Sequence, residues 1–289
     1  HESLYDRRTN RDQLLSGLKM PRPTDTNTSL SLSASALTDL YPQTLSGEEA
    51  LNALGSLTLH GDSATALTLS SAVATHITAT LHNDANQRPL DALVAEIRQL
   101  PADATADRYQ VVLRPWLWWL TLASNNRVFQ NLATSDIVTT IFKAHGFTDF
   151  KLSLSGSYEP REYCVQYGET DFAFVSRLLE EEGIFWFFTH EDGKHTLVLG
   201  DSSDAFVQIP NGPKVPYLGQ GIGARELHGI RSAQYSVQAV SGVYSATDYA
   251  FTTPTTSLYS NAEAVAGPLS MYEHPGGYIA KARGDALTK

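Results

Sequence analysis

Apolar and polar residues alternate over much of the first 120 positions. Leu30, Leu32, Ala34 and Ala36 alternate with serines. Leu57 and Leu59 continue the pattern, and so do Ala66, Leu67 and Leu69. From Val73 to Leu81 the residues Val73, Thr75, Ile77, Ala79 and Leu81 share one face. Tyr109, Val111 and Leu113 alternate next, and Pro115 closes that strand. Period two is the signature of half-buried strands, so residues 31–122 read as β. One stretch is ambiguous. Leu90, Leu93, Val94, Ile97 and Leu100 fall at i, i+3, i+4, i+7 and beyond, which is helical periodicity.

The texture changes after Gln130. Thr134 and Ser135 can cap a helix with the stripe Ile137, Val138, Ile141 and Phe142, with Asp136 in its first turn and Gly146 after its last. A strand then shows Tyr163, Val165 and Tyr167 on one face and Cys164 and Gln166 on the other. A second helix starts near Thr170–Asp171, runs to Glu182 on Phe172, Val175, Leu178 and Leu179, and ends at Gly183. Ile184–Phe188 reads as a buried strand. It turns at 190–194 and returns through His195–Leu199. Residues 200–216 are rich in Gly, Pro and Asp and read as a long loop. Val237, Ala239, Val243, Tyr249 and Phe251 suggest further strands, and 278–289 the opening of a helix. Residues 1–29 form a lead segment. In it Leu14, Leu15 and Leu18 make one amphipathic turn, ended by Pro21 and Pro23.

Charge and composition narrow the function. The 289 residues carry 21 bases against 31 acids, a net charge of −10, which disfavours a nucleic-acid binder and an anionic membrane surface. No stretch approaches 18 apolar residues, and residues 1–22 lack the apolar centre of a signal peptide. Cys164 is the single cysteine, so there is no internal disulfide and no thiolate zinc site. The chain opens on His1 rather than Met, as expected of a piece of a longer protein.

Candidate chemistry is sparse. His60, His76 and His82 lie in β texture, and His190 and His195 are five apart across a hairpin. None gives a helical i, i+4 pair or an HxH pair, so these histidines read as surface or hairpin-closing residues and no metal is expected. Glu180, Glu181 and Glu182 crowd the end of a helix, where the dipole disfavours them, with Arg177 placed to offset part of the charge. A glycosidase reading would pair Glu181 with Asp192 and use Trp116, Trp118 and Trp119 as a sugar platform; core packing is the commoner use of such aromatics. There is no GxSxG elbow and no phosphate loop. Gly219, Gly221 and Gly223 lack a following amphipathic helix, so no cofactor is expected.

One stretch is more specific. The run from Arg161 to Ile184 (REYCVQYGETDFAFVSRLLEEEGI) closely resembles the signature of the VgrG family, spike proteins of the bacterial type VI secretion system. The likeness continues through Phe187-Phe188, His190, Gly193, His195–Leu199 and Asp201. Upstream it includes 47–51, 109–115 and Asn126–Gln130, and downstream 248–254 and 272–278. The signature positions it marks are Arg161, Glu162, Tyr163, Cys164, Gln166, Tyr167, Glu169, Asp171, Phe174, Arg177, Leu178, Glu181 and Gly183.

The resemblance implies a mainly β (α+β) fold similar to the hub of contractile phage tails, with two β-barrel tube domains joined by a mixed α/β part. The divisions would be 1–29 lead segment, 30–125 first barrel, 126–200 middle domain and 201–289 an incomplete second barrel. It also implies a non-enzymatic homotrimer that caps the hexameric Hcp tube, is made in the bacterial cytoplasm, and is then secreted or injected to deliver effectors. Three chains of two barrels each would meet a six-fold ring. The family continues into an oligosaccharide-binding-type barrel and a needle; neither follows Lys289 here, so contacts with a tip protein and with effectors belong to parts outside these residues. A prophage tail hub or late-control protein would have the same fold, with a phage tube as its partner. In the family residues 90–100 form a strand, and we take that reading over the helix, since tertiary pairing overrides short amphipathic patterns.

Overall fold

The computed structural model describes residues 28–83, 86–101, 106–208, 214, 217, 230, 232–263, 267 and 269–288. The expected turn of helix at Leu14–Leu18 and the glycine run at 219–223 lie outside them. The chain divides into two compact units, residues 1–180 with 184–209, and residues 181–183 with 210–289.

The first unit is built on a curled six-stranded antiparallel sheet. Its strands are β1 (Thr28–Ala34), β2 (Tyr41–Ala50), β3 (Ala53–Ser63), β4 (His76–Asn83), β5 (Asn86–Leu100) and β6 (Asp107–Arg114), in the order β1-β4-β5-β6-β3-β2. Leu57, Leu59, Ile77, Leu90, Ala92, Val94, Tyr109, Val111 and Leu113 fill its concave face. Leu30, Leu32 and Leu45 from β1 and β2 pack on the same core, and those two outer strands approach each other. The Tyr109 hydroxyl accepts the Leu67 N–H at 3.1 Å, so the buried ring keeps its polar tip paired.

Residues 90–100 are a strand, and β5 shows why its sequence mimics a helix. Leu90, Ala92 and Val94 face the sheet core. Leu93 points the other way, yet is buried in a second core. A bulge between Val94 and Glu96 then slips the alternation by one residue and returns Ile97 to the first core. Two buried faces and one bulge yield the 3-4-7 spacing without a helix. The alternation at 66–69 forms no strand: Leu69–Ser71 is a 3-10 turn, with Leu67 and Leu69 packed on the sheet core. Strand β4 begins only at His76, and Val73 is exposed.

The second core gathers the mixed part of this unit. A 3-10 segment, Trp116–Leu122, leads into β7 (Ser124–Phe129) and α1 (Thr134–Ala144). Then come β8 (Phe150–Ser153), β9 (Cys164–Thr170), α2 (Asp171–Glu181), β10 (Phe185–Glu191) and β11 (Lys194–Gly200). Ile137, Val138, Ile141 and Phe142 of α1 meet Phe174, Val175, Leu178 and Leu179 of α2 over Trp186, Leu197 and Leu199 of the sheet β10-β11-β8. Thr134 opens α1 without capping it; the N-cap is Ala133, and the Thr134 hydroxyl instead accepts the Arg161 Nε–H at 3.0 Å. Helix α2 does have a threonine cap: Thr170 Oγ1 accepts the Ala173 N–H. Gly183 takes φ +68° to end it, a conformation that favours glycine. Asp192-Gly193 makes the two-residue turn between β10 and β11. Strands β2, β7 and β8 are polar or short, with no alternation that marks them in the sequence.

The second unit holds a small sheet, β13-β12-β14, of Val243–Ala246 (β12), Ser260–Glu263 (β13) and Ser270–Glu273 (β14), with α3 at Lys281–Leu287. Ala246, Ala250, Leu258 and Tyr278 form its core, and Arg283 grips the Glu182 carboxylate with two bonds of 2.6 Å. Val237, Ala239, Tyr249 and Phe251 fall outside strands, against the pattern-based expectation.

Phe174 and Leu178 are both fully buried. Phe174→Asp or Leu178→Asp places an unpaired carboxylate there and is expected to cost at least about 4 kcal/mol, read as loss of the cooperative unfolding transition.

Candidate functional site

Two buried aspartates organise the first unit. Asp171 begins α2, and its carboxylate is nearly sealed from solvent. It accepts Gln166 Nε2–H at 2.6 Å, His145 Nε2–H at 2.5 Å and both terminal Arg127 N–H groups at 3.2 Å. Burial alone would raise its pKa. The hydrogen bonds from Gln166 and His145 and the positive charge of Arg127 outweigh that and hold it below the usual carboxylate value of 3.8. One carboxylate thus joins β7 (Arg127), the end of α1 (His145), β9 (Gln166) and α2.

The signature positions sit around this centre. Gln166 and Cys164 face inward on β9; Tyr163, Val165 and Tyr167 face outward and are exposed. Val128 lies directly across from Val165, also exposed. Arg177 stacks over Phe174 at 5.3 Å and donates to Glu169 at 2.6 Å and to the Val165 carbonyl. Arg161 ties its backbone to Leu132 and its side chain to Thr134; Glu162 is exposed, and its carbonyl accepts the Asn131 N–H. Phe174 and Leu178 are core, Glu181 is exposed at the end of α2, and Gly183 is the terminator. The signature therefore describes one ribbon-and-helix unit rather than a cleft.

Asp91 is the second centre. It lies on the convex face of β5, beside Leu93, with no solvent exposure. Its Oδ1 accepts from His76 Nδ1 at 2.8 Å and from His195 Nδ1 at 2.7 Å, and its Oδ2 accepts the Thr78 hydroxyl at 2.8 Å. Thr78 Oγ1 in turn accepts the Gly193 N–H at 2.7 Å. Strand β6 ends opposite Leu93, and His190 takes its place beside Asp91: Nδ1 lies 2.9 Å from the Asp91 carbonyl oxygen and 3.2 Å from its amide nitrogen. The other His190 nitrogen meets Glu49 at 2.5 Å. Asn52, at the β2–β3 turn, adds a two-way bond with the Trp186 backbone.

These histidines correct the sequence reading. His190 and His195 do pair across the hairpin, but His195 is completely buried and His76 joins it on one carboxylate. His76, Asp91 and His195 bring three potential ligand atoms within 4.8 Å of one another, a cluster that sequence spacing did not disclose. The wiring opposes a metal. His195 Nε2 accepts the Trp116 backbone N–H at 2.8 Å, so the proton of the neutral ring resides on Nδ1, which donates to Asp91 and has no lone pair to give. A metal-bound histidine shows the reverse, its outer nitrogen donating to an acceptor. Asp91 itself had a legible signal, an acid inside the apolar run Leu90–Val94. His145 had none.

The glycosidase reading finds no support in the geometry. Glu181 and Asp192 are both exposed, and neither lines the cavity beside Asp91 and His190 or the one beside His76 and Trp116. Trp116 is buried between Phe142 and Phe147, at ring distances of 5.1 and 4.7 Å, and offers no sugar-binding face.

A mainly β chain whose layers are tied together by two buried carboxylates has the build of a scaffold. Residues 48–289 match the family model of the phage tail baseplate hub (GPD), and the chain belongs to that family. It is 39% identical over 211 residues to the type VI secretion system spike protein VgrG1b of Pseudomonas aeruginosa, an alignment covering 72% of this chain and 28% of that protein. It is 34% identical over 192 residues to the actin cross-linking toxin VgrG1 of Vibrio cholerae, covering 63% of this chain and 17% of the toxin. The chain thus spans under a third of these relatives. The fold is similar to that of the E. coli c3393 protein, a type VI secretion component (TM-score 0.57, 23% identity, 77% of this chain and 56% of that one). It is also similar to a tail protein of Neisseria meningitidis (TM-score 0.55, 11% identity, 90% and 73%).

Asp171 has a depressed pKa, so its contribution to stability is complete above pH 3.8 and is lost as pH falls through the lower folded value. Asp171→Ala should cost about 3–5 kcal/mol at pH 7, since it strands Arg127 beside the core, and should flatten the acid limb of a urea-midpoint-against-pH curve. An unchanged acid limb would show that Asp171 is not the centre of this unit.

Proposed function

We propose that this chain is the hub portion of a type VI secretion spike, a non-enzymatic adaptor that works as a homotrimer, caps the hexameric Hcp tube and leaves the cell with it to deliver effectors. The single observation that carries this reading is the 39% identity to a named spike protein over 211 residues, which span the whole signature unit. In this reading residues 30–125 are the first tube domain, 126–200 the middle domain and 201–289 the start of a second tube domain. The signature residues from Arg161 to Gly183 act structurally, fixing ribbon to helix. Work comes from elsewhere, and the chain transmits it through the two aspartate centres, which hold its layers in one arrangement. The protein would assemble in the bacterial cytoplasm before ejection.

A prophage tail hub is the second reading, and the likeness to the Neisseria tail protein fits it; at 11% identity that likeness speaks for the fold alone. Neighbouring genes for a sheath and its recycling ATPase would favour the secretion spike.

The test uses the full-length protein. Light scattering is expected to give three copies per particle, and co-purification with hexameric Hcp is expected at one trimer per hexamer. A stable monomer that leaves Hcp untouched would overturn the proposal.

A further inference from the structure

We propose that the β10–β11 hairpin is held on the six-stranded sheet by an acid-released latch, with neutral His195 as the closing element. The proposal rests on which ring nitrogens can accept a second proton. His76 reaches Asp91 through Nδ1 and is partly exposed, so its other nitrogen can take a proton without breaking a bond. His190 Nδ1 has two partners in reach, the Asp91 N–H at 3.2 Å and the Asp91 carbonyl at 2.9 Å. His195 alone is committed at both ends. Its Nδ1–H serves Asp91, and its Nε2 lone pair receives the Trp116 N–H at 2.8 Å. A second proton would set donor against donor in a fully buried site, leaving the Trp116 amide without its acceptor.

The surroundings set the direction of the response. Asp91 faces His195 from β5, His76 from β4 at a ring distance of 5.6 Å, and His190 from β10 at 6.3 Å. Asp149, paired with Lys194 at 3.2 Å, acts on His76, and Glu49 pairs with His190 at the rim. Burial pushes the His195 imidazole below its usual 6.5, with the neighbouring histidines adding to that and Asp91 opposing it. A depressed value means that His195 stabilises the closed hairpin fully above pH 6.5 and progressively less as pH falls toward that lower value. The His76–Asp91 bond lies within the sheet and survives when the hairpin lifts, so it does not oppose release. The His190–Glu49 pair does oppose it, which makes the comparison with a variant at His195 the informative one.

Hydrogen exchange on the folded protein tests the latch. Between pH 7.5 and 5.5, and after correction for intrinsic chemistry, exchange at 191–194 is expected to rise relative to amides of β4–β6, by up to about tenfold, the ceiling set by going one pH unit below 6.5. His195→Gln keeps an acceptor for the Trp116 amide but cannot titrate, and should remove most of that response. Should that variant fail to fold, nitrogen-detected NMR of the wild-type rings reads the same point. His195 is expected protonated on Nδ1 alone at pH 7.5, with hairpin opening tracking its second protonation. An equal response in wild type and variant, no response in wild type, a proton on Nε2 at pH 7.5, or opening that tracks His76 or His190 instead would each overturn the proposal. None of these outcomes depends on trimer formation, so the latch and the spike assignment stand or fall separately.

Discussion

Asp91 carries its carboxylate on the convex face of a curled sheet, where a single strand would leave it in water, and the fold takes that water away. A buried carboxylate needs donors at once, and two of the three, His76 and Thr78, come from the neighbouring strand. The third, His195, comes from a hairpin more than a hundred residues later. The rest of the first unit depends on that demand. Once His195 is aimed at Asp91, Gly193 falls against Thr78, and His190 against the Asp91 backbone on β5 that β6 leaves open. The mixed α/β part is thereby positioned on the sheet by polar contacts of fixed direction, where apolar packing alone would allow sliding.

Asp171 repeats the principle inside the α/β part. Arg127, His145 and Gln166 arrive from three elements and converge on a carboxylate at the start of α2. Burial raises the cost of leaving either aspartate unpaired, and so penalises alternative arrangements of the chain. This suits a chain of the baseplate-hub family, since directional buried contacts specify one arrangement of the layers.

Much of the fold was legible. The alternation at 57–59, 77–81 and 109–113 marks real strands, and the stripes at 137–142 and 172–179 mark real helices, although Phe172 is only partly buried and Phe174 takes its place in the core. Residues 90–100 misled by periodicity alone, since Leu93 is buried on the face opposite Leu90 and a bulge shifts Ile97. The resemblance supplied the strand there, and it marked Gln166 and Asp171, which hydrogen-bond to each other at 2.6 Å. It also marked Tyr163 and Tyr167, which face outward. Spacing rules missed the histidines for a simple reason: metal and catalytic templates count residues along one element, whereas His76 and His195 meet through a sheet and a hairpin that are separate in the chain.

The sequence by itself determined the strands that bury one face, the two long helices, where α2 stops at Gly183, and that the chain is an acidic, mainly β protein of the hub family. These follow from local sterics, the side-chain period and a long specific signature. Only the tertiary structure decided which faces are buried twice, which donors answer Asp91 and Asp171, and which nitrogen of His195 holds its proton. Those are properties of groups brought together across long loops in a medium of low polarity, and hydrogen-bond direction is set there by neighbours that no local pattern encodes.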